Sequence, residues 1–432
     1  MRRIPWPGGT LAGVVACAAL ALSACGAHDR VRAGAIAAGL EGRGPITFVT
    51  AIDHSGYLRK QLDTWNEDHP DERVHVVELN GGPAEQRRRL VEDAKAKSGV
   101  YAVLDLDVVW TAEFAANGWL ARLPEDRLNL SGTLPAAVAT GRYQGGLYAV
   151  PSSSDAGMLS YRKDLLDKAG IAAPPRTYAE MWDDCDRVRR LPEGRNVDCY
   201  LTGVDRSEDL TVSLTEAVGG AGGALLAPDG EPALDTPAAR QGLEFLARSR
   251  ADGRMPKDAA ALDAADARRR FESGRLLFLR QWTADQDVPA SEDDGASRVA
   301  GGHAVAPLPG PDGPGAAAAL GGRDLAVSAF AEHKLTALDF VRFLTGQAAQ
   351  RAGLMATSRP PALTELYDDP ELVRRFPYLP ALRTAITTAR PRPAGAGYPK
   401  LSATIQDAAY GAVTGRVPVG RALSDLQNDL RH

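Results

Sequence analysis

Apolar positions along the first third of the chain follow two alternating patterns. Short runs of β-forming residues occupy positions 45–51, 74–79 and 102–106. The segments between them carry apolar residues at helical spacing, as at positions 58, 62 and 65. This β-α-β-α-β alternation predicts a mostly parallel sheet with helices on both faces.

Residues 148–171 interrupt this alternation. An apolar run stops at Pro151, and a stretch of small residues carrying Asp155 follows. A second apolar run at 158–161 then leads into a charged helical segment. Because proline cannot donate to a strand ladder, Pro151 predicts a break at which the chain leaves one sheet for another. We therefore expect an interlobe hinge here, with Asp155 facing a ligand just inside the second lobe.

The rest of the chain is mainly helical. Thr177 and Thr236-Pro237 are typical starts of helices, because threonine caps a first turn and proline fits it. A run at 302–307 predicts a strand that crosses back to the first lobe. The predicted division is an N-terminal lobe of residues 45–152 and 304–331 and a C-terminal lobe of residues 153–303 and 332–432.

Length and composition indicate a globular protein of more than one domain. The chain has 432 residues, of which 44% are hydrophobic and 24% charged. Roughly 100–200 residues per domain predicts two or three domains. Acidic residues outnumber basic ones, 55 to 50, so no nucleic-acid partner is expected.

The first residues resemble an export signal. Arg2 and Arg3 precede a short apolar run at 11–22, and Leu22-Ser23-Ala24-Cys25 matches the lipobox of bacterial lipoproteins. The run is too short to remain as a membrane-spanning helix. We expect a signal peptide at 1–24, lipidation of Cys25 and a tether at 25–44, with a soluble secretory signal as the alternative.

Cysteine usage agrees with export. Outside the signal and the lipobox, the cysteines that remain are Cys185 and Cys199. An even pair in an oxidising compartment, closing a short loop, predicts one disulfide.

No enzyme signature is present in the sequence. It contains no G-x-S-x-G, H-E-x-x-H or Gly-Lys-Ser/Thr motif, and its histidines have no pair at ligand spacing. Neither a metal site nor a cofactor is therefore predicted. Asp105 and Asp107 share one strand face and could form a glycosidase pair, but such a pair needs a raised pKa in one member. We do not expect an enzyme.

Polar and aromatic residues beyond the predicted strands favour sugar recognition instead. Carboxylates and arginines make paired hydrogen bonds that suit vicinal hydroxyl groups, and open α/β sheets bind ligands at their strand ends. Each residue could alternatively be a packed or surface residue, and for Trp282 alone core packing is the better interpretation. The candidates placed in this way are Asp107, Asp155, Trp282, Arg392 and Tyr398.

Several segments resemble one protein family. The sequence is similar to the extracellular solute-binding proteins of ABC importers, in particular the trehalose/maltose-binding branch from Gram-positive bacteria. The segments that carry this resemblance are residues 106–120, 148–166, 366–370, 376–379, 390–393 and 398–399. The resemblance implies an α/β periplasmic-binding-protein type II fold, with two lobes and a multi-crossing hinge that closes on a sugar.

The same resemblance implies roles for single residues. Asp107 and Asp155 would bind sugar hydroxyls, Trp282 would stack on the sugar, and Arg392 matches the arginine of a Pro-Arg-Pro turn, with Arg390 as the second choice. The complete predicted ligand set is Asp53, Asp107, Asp155, Trp282, Gly322, Arg323, Arg392 and Tyr398.

The sequence also departs from the family pattern. Arg323 stands where the pattern has a tryptophan, and Ser153 and Ser154 replace a tyrosine or asparagine and a threonine. The loop at 356–359 lacks the usual glycines. An Arg323 that points into the cleft would favour a more polar or anionic sugar.

The predicted function is that of a substrate-binding lipoprotein of a sugar ABC importer. It would capture a di- or oligosaccharide, deliver it to a membrane permease, and work as a monomer lipid-anchored on the extracellular face of the cell membrane. The alternatives are a binding protein for a non-sugar or anionic solute, and a sensor or scaffold lipoprotein without transport.

Overall fold

The computed structural model describes residues 39–227, 230–283, 299, 301–313 and 318–431. The predicted signal peptide at 1–24, the tether as far as residue 38 and the predicted lipidation site Cys25 lie outside these residues.

Strands and helices alternate over the first three strands, and runs of consecutive strands and of consecutive helices follow. The strands are β1 (Ile46–Ala51), β2 (Val74–Leu79), β3 (Val103–Asp107), β4 (Arg142–Tyr143), β5 (Gly146–Leu147), β6 (Ala149–Ala156), β7 (Met158–Tyr161), β8 (Asp198–Leu201), β9 (Leu276–Gln281), β10 (Ala304–Pro307) and β11 (Leu320–Val327).

The helices are α1 (Tyr57–Asp68), α2 (Pro83–Ala96), α3 (Thr111–Ala116), α4 (Pro135–Thr140), α5 (Lys163–Lys168), α6 (Tyr178–Val188), α7 (Glu208–Gly220), α8 (Pro237–Ala251), α9 (Ala264–Glu272), α10 (Lys334–Leu344), α11 (Gln347–Thr357), α12 (Pro370–Arg375), α13 (Leu379–Thr388), α14 (Tyr398–Val413) and α15 (Val419–Asp429). Short 3₁₀ turns lie at Glu125–Arg127, Ala259–Ala261 and Thr364–Tyr367.

The predicted helix starts at Thr177 and Thr236 are confirmed. The Thr177 hydroxyl accepts a hydrogen bond from the Glu180 backbone N–H, and the Glu180 carboxylate accepts one from the Thr177 N–H. This reciprocal capping box satisfies two donors that the first turn of α6 leaves unpaired. Thr236 caps α8 by accepting a hydrogen bond from the backbone N–H of Ala239, without a reciprocal partner because residue 239 is an alanine.

A five-stranded sheet forms the core of the first lobe. Its strand order is β2-β1-β3-β11-β6, with β1 parallel to β2 and β3, and β11 antiparallel to β3 and β6. The parallel β1–β3 unit predicted from the sequence is thus confirmed. Helix α10 covers the sheet through Phe340, whose ring makes an edge contact with Phe48 of β1.

A four-stranded sheet forms the core of the second lobe. Its strand order is β10-β7-β9-β8, and only β8 and β9 run parallel within it. Helices α7 and α8 pack on it, and α14 and α15 from the end of the chain join the same hydrophobic cluster. The predicted two-lobed α/β architecture is therefore present.

The first crossing between the sheets lies at Gly157, not at Pro151. Strand β6 continues through Pro151 to Ala156, and β7 begins at Met158. The register with β11 shifts so that Arg323 faces Ser153 and Asp324 faces Pro151. This bulge accommodates a residue that has no N–H to donate. The prediction that the chain leaves the first sheet at Pro151 is therefore wrong. The predicted lobe boundary between residues 152 and 153 falls inside β6.

Gly157 is needed at the crossing because a side chain does not fit there. A Cβ at this position would overlap the Glu216 carboxylate and approach the Arg280 guanidinium. These two groups form a buried pair, with Arg280 Nη2 2.6 Å from Glu216 Oε1. Glu216 Oε1 also accepts a hydrogen bond from the Ala319 backbone N–H at 3.1 Å, next to β11.

Two further expectations about the lobes are corrected. Strand β10 pairs with β7 in the second sheet, so the strand at 302–307 does not cross back, and β11 is the strand that returns to the first sheet. Helix α10, which the sequence placed in the C-terminal lobe, packs on the first sheet. Apolar periodicity predicts a helix but not the sheet that the helix covers.

The predicted disulfide is confirmed. Cys185 near the end of α6 is bonded to Cys199 in β8, and both side chains are buried in the core of the second lobe. Among the residues that the structure describes, no helix combines the length and the apolar character needed to cross a membrane.

Candidate ligand-binding site

Arg392 joins the two lobes. Its Nη2 lies 2.8 Å from Asp107 Oδ1, at the end of β3 in the first sheet. Its Nη1 lies 2.8 Å from Glu208 Oε1, at the first turn of α7 in the second lobe. The Arg392 side chain is almost entirely buried, whereas the carboxylates of Asp107 and Glu208 are partly exposed, and both contacts are charge-assisted hydrogen bonds.

Glu208 binds further donors from α14. The Tyr398 hydroxyl donates to Glu208 Oε1, and the Ser402 hydroxyl donates to Oε2 at 2.7 Å. Sequence reasoning missed Glu208. Ser207, which caps α7 by accepting a hydrogen bond from the Asp209 backbone N–H, is the local signal that could have placed an acidic residue at this helix start.

One nitrogen of the Arg392 guanidinium has no partner among the described residues. Its Nε is buried and has no hydrogen-bond partner within the described part of the chain. Burial opposes the charge, but the acidic surroundings of Asp107 and Glu208 outweigh it and raise the pKa of Arg392. The residue is thus a fixed cation with a buried Nε–H that has no acceptor in the described chain in this arrangement of the lobes.

Asp155 belongs to the first sheet. It lies in β6 opposite Gly321 of β11 and is buried, whereas the sequence predicted it just inside the second lobe. Its Oδ1 accepts hydrogen bonds from the Ala156 backbone N–H at 2.8 Å and from the Thr283 hydroxyl at 2.7 Å. Because Thr283 follows β9, this contact connects the two sheets beside the crossing.

Trp282 lies between the same elements. A Cβ at Gly321 would come within 2.5 Å of the indole ring, so the ring packs directly on the backbone of β11. The Arg280 guanidinium carbon lies 4.2 Å from the ring centroid. The indole is half-buried at the end of β9. It lies between the Arg280 guanidinium and the backbone of Gly321.

Arg323 is neutralised within the first lobe. Its Nε lies 3.0 Å from Asp105 Oδ1, and its Nη2 donates to the Asp105 carbonyl oxygen at 2.7 Å. Burial alone would raise the pKa of Asp105, but the Arg323 charge holds it below its usual range. The hypothesis that Arg323 selects an anionic sugar loses its basis, since this guanidinium already has an anionic partner.

A cavity of about 440 Å³ opens beside this pair at the end of β1. Asp53, Tyr57, Asp105, Ser152 and Arg359 are among its polar lining residues. Burial, opposed by the nearby charge of Arg359, raises the pKa of Tyr57 to about 12. The volume lies in the range of small-molecule sites.

Asp53 has a structural role in this loop. Its carboxylate accepts hydrogen bonds from the backbone N–H of Ser55 at 2.9 Å and of Leu58, in α1, at 2.7 Å. Burial raises the pKa of Asp53, but these hydrogen bonds outweigh it, so the pKa is lowered. The predicted ligand residue thus lines the cavity while holding the start of a helix.

Two other predicted ligand residues also have structural contacts. Gly322 has a φ of +133°, and a Cβ there would overlap the backbone of Ser153, so the glycine permits close strand approach. Tyr398 is buried in a cluster of the first lobe. Burial is the main reason that its pKa is raised.

A smaller cavity of about 250 Å³ lies at the ends of β8 and β9 in the second lobe. Thr202, Asp209, Gln281 and Trp282 line it. The Oε1 atom of Gln281 has no hydrogen-bond partner among the described residues. Both cavities therefore lie at carboxyl ends of parallel strands, where α/β sheets present polar groups.

The described residues contain no group of three or more histidine, cysteine or acidic side chains that could hold a metal ion. The polar groups of the site are carboxylates, guanidinium groups, hydroxyls and one indole ring. Such a set is equipped to hydrogen-bond and stack on a solute.

Two α/β lobes with antiparallel crossings and polar strand ends define a periplasmic-binding-protein fold. The model of the family "Bacterial extracellular solute-binding protein" matches residues 60–380. The chain belongs to this family, whose members are binding proteins rather than enzymes. The expectation of an extracellular solute-binding protein of an ABC transporter is confirmed.

Individual relatives agree with this assignment. The chain is 29% identical over 398 residues to a "Probable ABC transporter-binding protein" of Deinococcus radiodurans, which covers 89% of this chain and 93% of the relative. The structure of maltose-bound MalE3 of T. maritima is 30% identical with a TM-score of 0.81, covering 90% of this chain and 99% of that one. The GacH receptor of Streptomyces glaucescens, solved unliganded and with acarbose, is 25% identical with a TM-score of 0.76, covering 90% and 98%.

Proposed function

We propose that this protein captures a di- or oligosaccharide between its lobes and delivers it to the permease of an ABC importer. The observation that carries the proposal is the likeness to maltose-bound MalE3, at 30% identity over 90% of the chain. The acarbose complex of GacH supports the same ligand class.

The chemistry of the site supports a hydroxyl-rich ligand. Arg392 is paired with the partly exposed Asp107 carboxylate, and a guanidinium beside a carboxylate is a donor–acceptor pair that suits neighbouring sugar hydroxyls. Trp282 provides an aromatic ring at the end of β9. Because Arg323 is paired with Asp105, we favour an uncharged sugar over an anionic one.

Lobe closure is the proposed mechanism. The lobes are connected at Gly157, between β10 and β11, and near Arg390, which pairs with Ala319. Three adjacent connections permit hinge bending while each sheet stays intact. A sugar that contacts both lobes would favour the closed arrangement by its differential affinity.

A thermal-shift panel tests the ligand class. Maltose, trehalose and acarbose are compared with mannitol, glycerol 3-phosphate and a short oligopeptide on the purified mature chain. We expect stabilisation by at least one sugar, since a ligand that binds only the folded state raises the unfolding temperature. Stabilisation by the peptide or the phosphate alone would favour a non-sugar solute, and stabilisation by none would favour a sensor or scaffold.

Calorimetry on variants tests the site. Trp282→Ala and Asp155→Ala are expected to lose affinity for the stabilising sugar while remaining folded by circular dichroism. Trp182→Ala is the matched control, because Trp182 is also half-buried in the second lobe but packs on Phe245 of α8. Unaltered affinity in both site variants would refute this site.

Membrane attachment is proposed through Cys25. The lipobox motif, not the described fold, supports it. Palmitate labelling of cells that express the wild type and Cys25→Ala tests it, and we expect label and membrane fractionation only for the wild type. Equal labelling would leave a soluble secretory signal as the interpretation.

A further inference from the structure

Glu208 is fixed to the second lobe by the helix that carries it. Leu210, Leu214 and Val218 of α7 are buried in the core of that lobe. Asp107 is fixed to the first lobe by β3, which pairs with β1 and β11. The guanidinium of Arg392 therefore connects two rigid elements of different lobes.

Arg392 itself lies in an irregular connection between α13 and α14. Backbone pairing does not orient it there, and a buried guanidinium without anionic partners would be strongly unfavourable. The positions of its two carboxylate partners consequently decide where the guanidinium plane lies. They also decide that Nη1 and Nη2 each donate to a carboxylate, while Nε has no hydrogen-bond partner in the described chain.

Glu208 accepts more side-chain hydrogen bonds than Asp107 does. Its Oε1 receives Arg392 and Tyr398, and its Oε2 receives Ser402. The Ser402 hydroxyl lies 2.8 Å from the Thr211 hydroxyl, one turn further along α7. Asp107 accepts, besides Arg392, one backbone N–H, that of Val109 at 3.1 Å.

We infer that Glu208 is a positioning residue that holds Arg392 against Asp107. It thereby fixes the orientation of the Arg392 guanidinium, whose Nε–H is buried in this arrangement of the lobes, and couples the two lobes when no solute is bound. The inference rests on the proposed function, because it assumes that the lobes move and that the solute carries hydroxyl oxygens.

Glu208→Gln tests this role with little change in size. The amide lacks the negative charge that attracts Arg392, and only one of its two polar atoms can accept a hydrogen bond. Glu113→Gln is the matched control. Like Glu208, Glu113 is a carboxylate in a first helical turn that is paired with an arginine. Its partner Arg87 lies in α2 of the same lobe, so this pair does not join the lobes.

Small-angle scattering without sugar gives the ligand-independent readout. We expect a larger radius of gyration for Glu208→Gln than for the wild type and Glu113→Gln, because Arg392 no longer joins the lobes. A Glu208→Gln radius equal to that of the wild type would overturn the inference. This readout holds even if no sugar binds, which would refute the proposed function separately.

Calorimetry with maltose, or with the panel sugar that stabilises the wild type, gives the second readout. Loss of a charge-assisted contact is expected to weaken binding about 10- to 100-fold in Glu208→Gln. In an Arg392→Gln background the same substitution should have no further effect, because Glu208 acts through Arg392. Wild-type affinity in the single variant, or an equal additional loss in the double variant, would overturn the inference.

Tyr398→Phe provides a second variant if Glu208→Gln does not fold. It removes one hydrogen bond to Glu208 and keeps every charge in the network. We expect binding of the same sugar to weaken by about two- to tenfold, in line with the loss of one hydrogen bond. Affinity equal to that of the wild type in this folded variant would overturn the inference.

Discussion

Arg323 lies directly against Asp105, with its Nε 3.0 Å from the Asp105 Oδ1 atom. The Asp105 side chain is 3% exposed and that of Arg323 20%, so the pair is largely buried. The Thr50 hydroxyl donates to the other carboxylate oxygen at 2.6 Å. Arg323 therefore neutralises a buried carboxylate in the first lobe.

Removal of one partner of this pair should destabilise the protein. Arg323→Ala leaves the Asp105 charge buried and unpaired, and we expect the free energy of unfolding to fall by about 3 kcal/mol. Urea denaturation measures the loss. In Arg323→Gln/Asp105→Asn no charge is left unpaired, so this double variant should recover part of the stability. A single variant as stable as the wild type would contradict the interpretation.

Gly321→Ala should disturb Trp282. The added methyl group would lie within about 2.5–3.1 Å of three atoms of the indole ring, so the ring must move. We expect sugar affinity to fall more than tenfold in calorimetry, with the protein still folded. Gly82→Ala is the control, since a Cβ at Gly82 meets no atom within 4 Å. Unchanged affinity in Gly321→Ala would show that the Trp282 ring does not contact the sugar.

Asp324 should make stability depend on pH. This carboxylate is buried in β11 and accepts hydrogen bonds from the hydroxyls of Thr111 at 2.9 Å and Thr140 at 3.0 Å. Burial raises its pKa to about 7 despite these hydrogen bonds. The folded state therefore binds its proton more tightly than the unfolded state, so this group's contribution to stability falls as pH rises from about 4 to 7.

Asp324→Asn removes that titration. The wild-type unfolding temperature minus that of Asp324→Asn should decrease as pH is raised through this range. Calorimetric melting at several pH values measures the difference. Because Asp184, whose pKa is raised to about 6 by burial, is present in both proteins, its effect cancels. A difference in unfolding temperature that does not change with pH would contradict the prediction.

The disulfide should contribute measurably to stability. Cys185 and Cys199 are 14 residues apart. In the loop-entropy model, closing a ring of this size raises the free energy of the unfolded chain by about 3 kcal/mol, because it removes conformations. Cys185→Ala/Cys199→Ala should unfold at a lower urea concentration than the oxidised wild type. Wild type kept in reductant should approach the same midpoint. A midpoint unaffected by reductant would show that the bond does not limit unfolding.

Local patterns were sufficient for the elements and for several single features. The alternation of β-forming runs and helical spacing predicted β1 to β3 and their parallel order, because adjacent strands joined by helices pair this way. Thr177 and Thr236 marked helix starts, since a capping hydroxyl acts within three residues. Cys185 and Cys199, the two cysteines outside the signal and the lipobox, predicted the disulfide that they form.

Contacts between distant segments were decided only by the tertiary structure. Pro151 was read as a break, but a bulge opposite Arg323 and Asp324 keeps it inside β6 and moves the crossing to Gly157. Arg392 meets Glu208 and Asp107 across 184 and 285 residues of sequence. No local pattern encodes such pairs, because a side chain's partners depend on how two sheets and the helices between them pack together. The sequence by itself thus determined which elements form and which family the chain resembles, while packing decided which charges face each other and which nitrogen of Arg392 lacks a partner in the described chain.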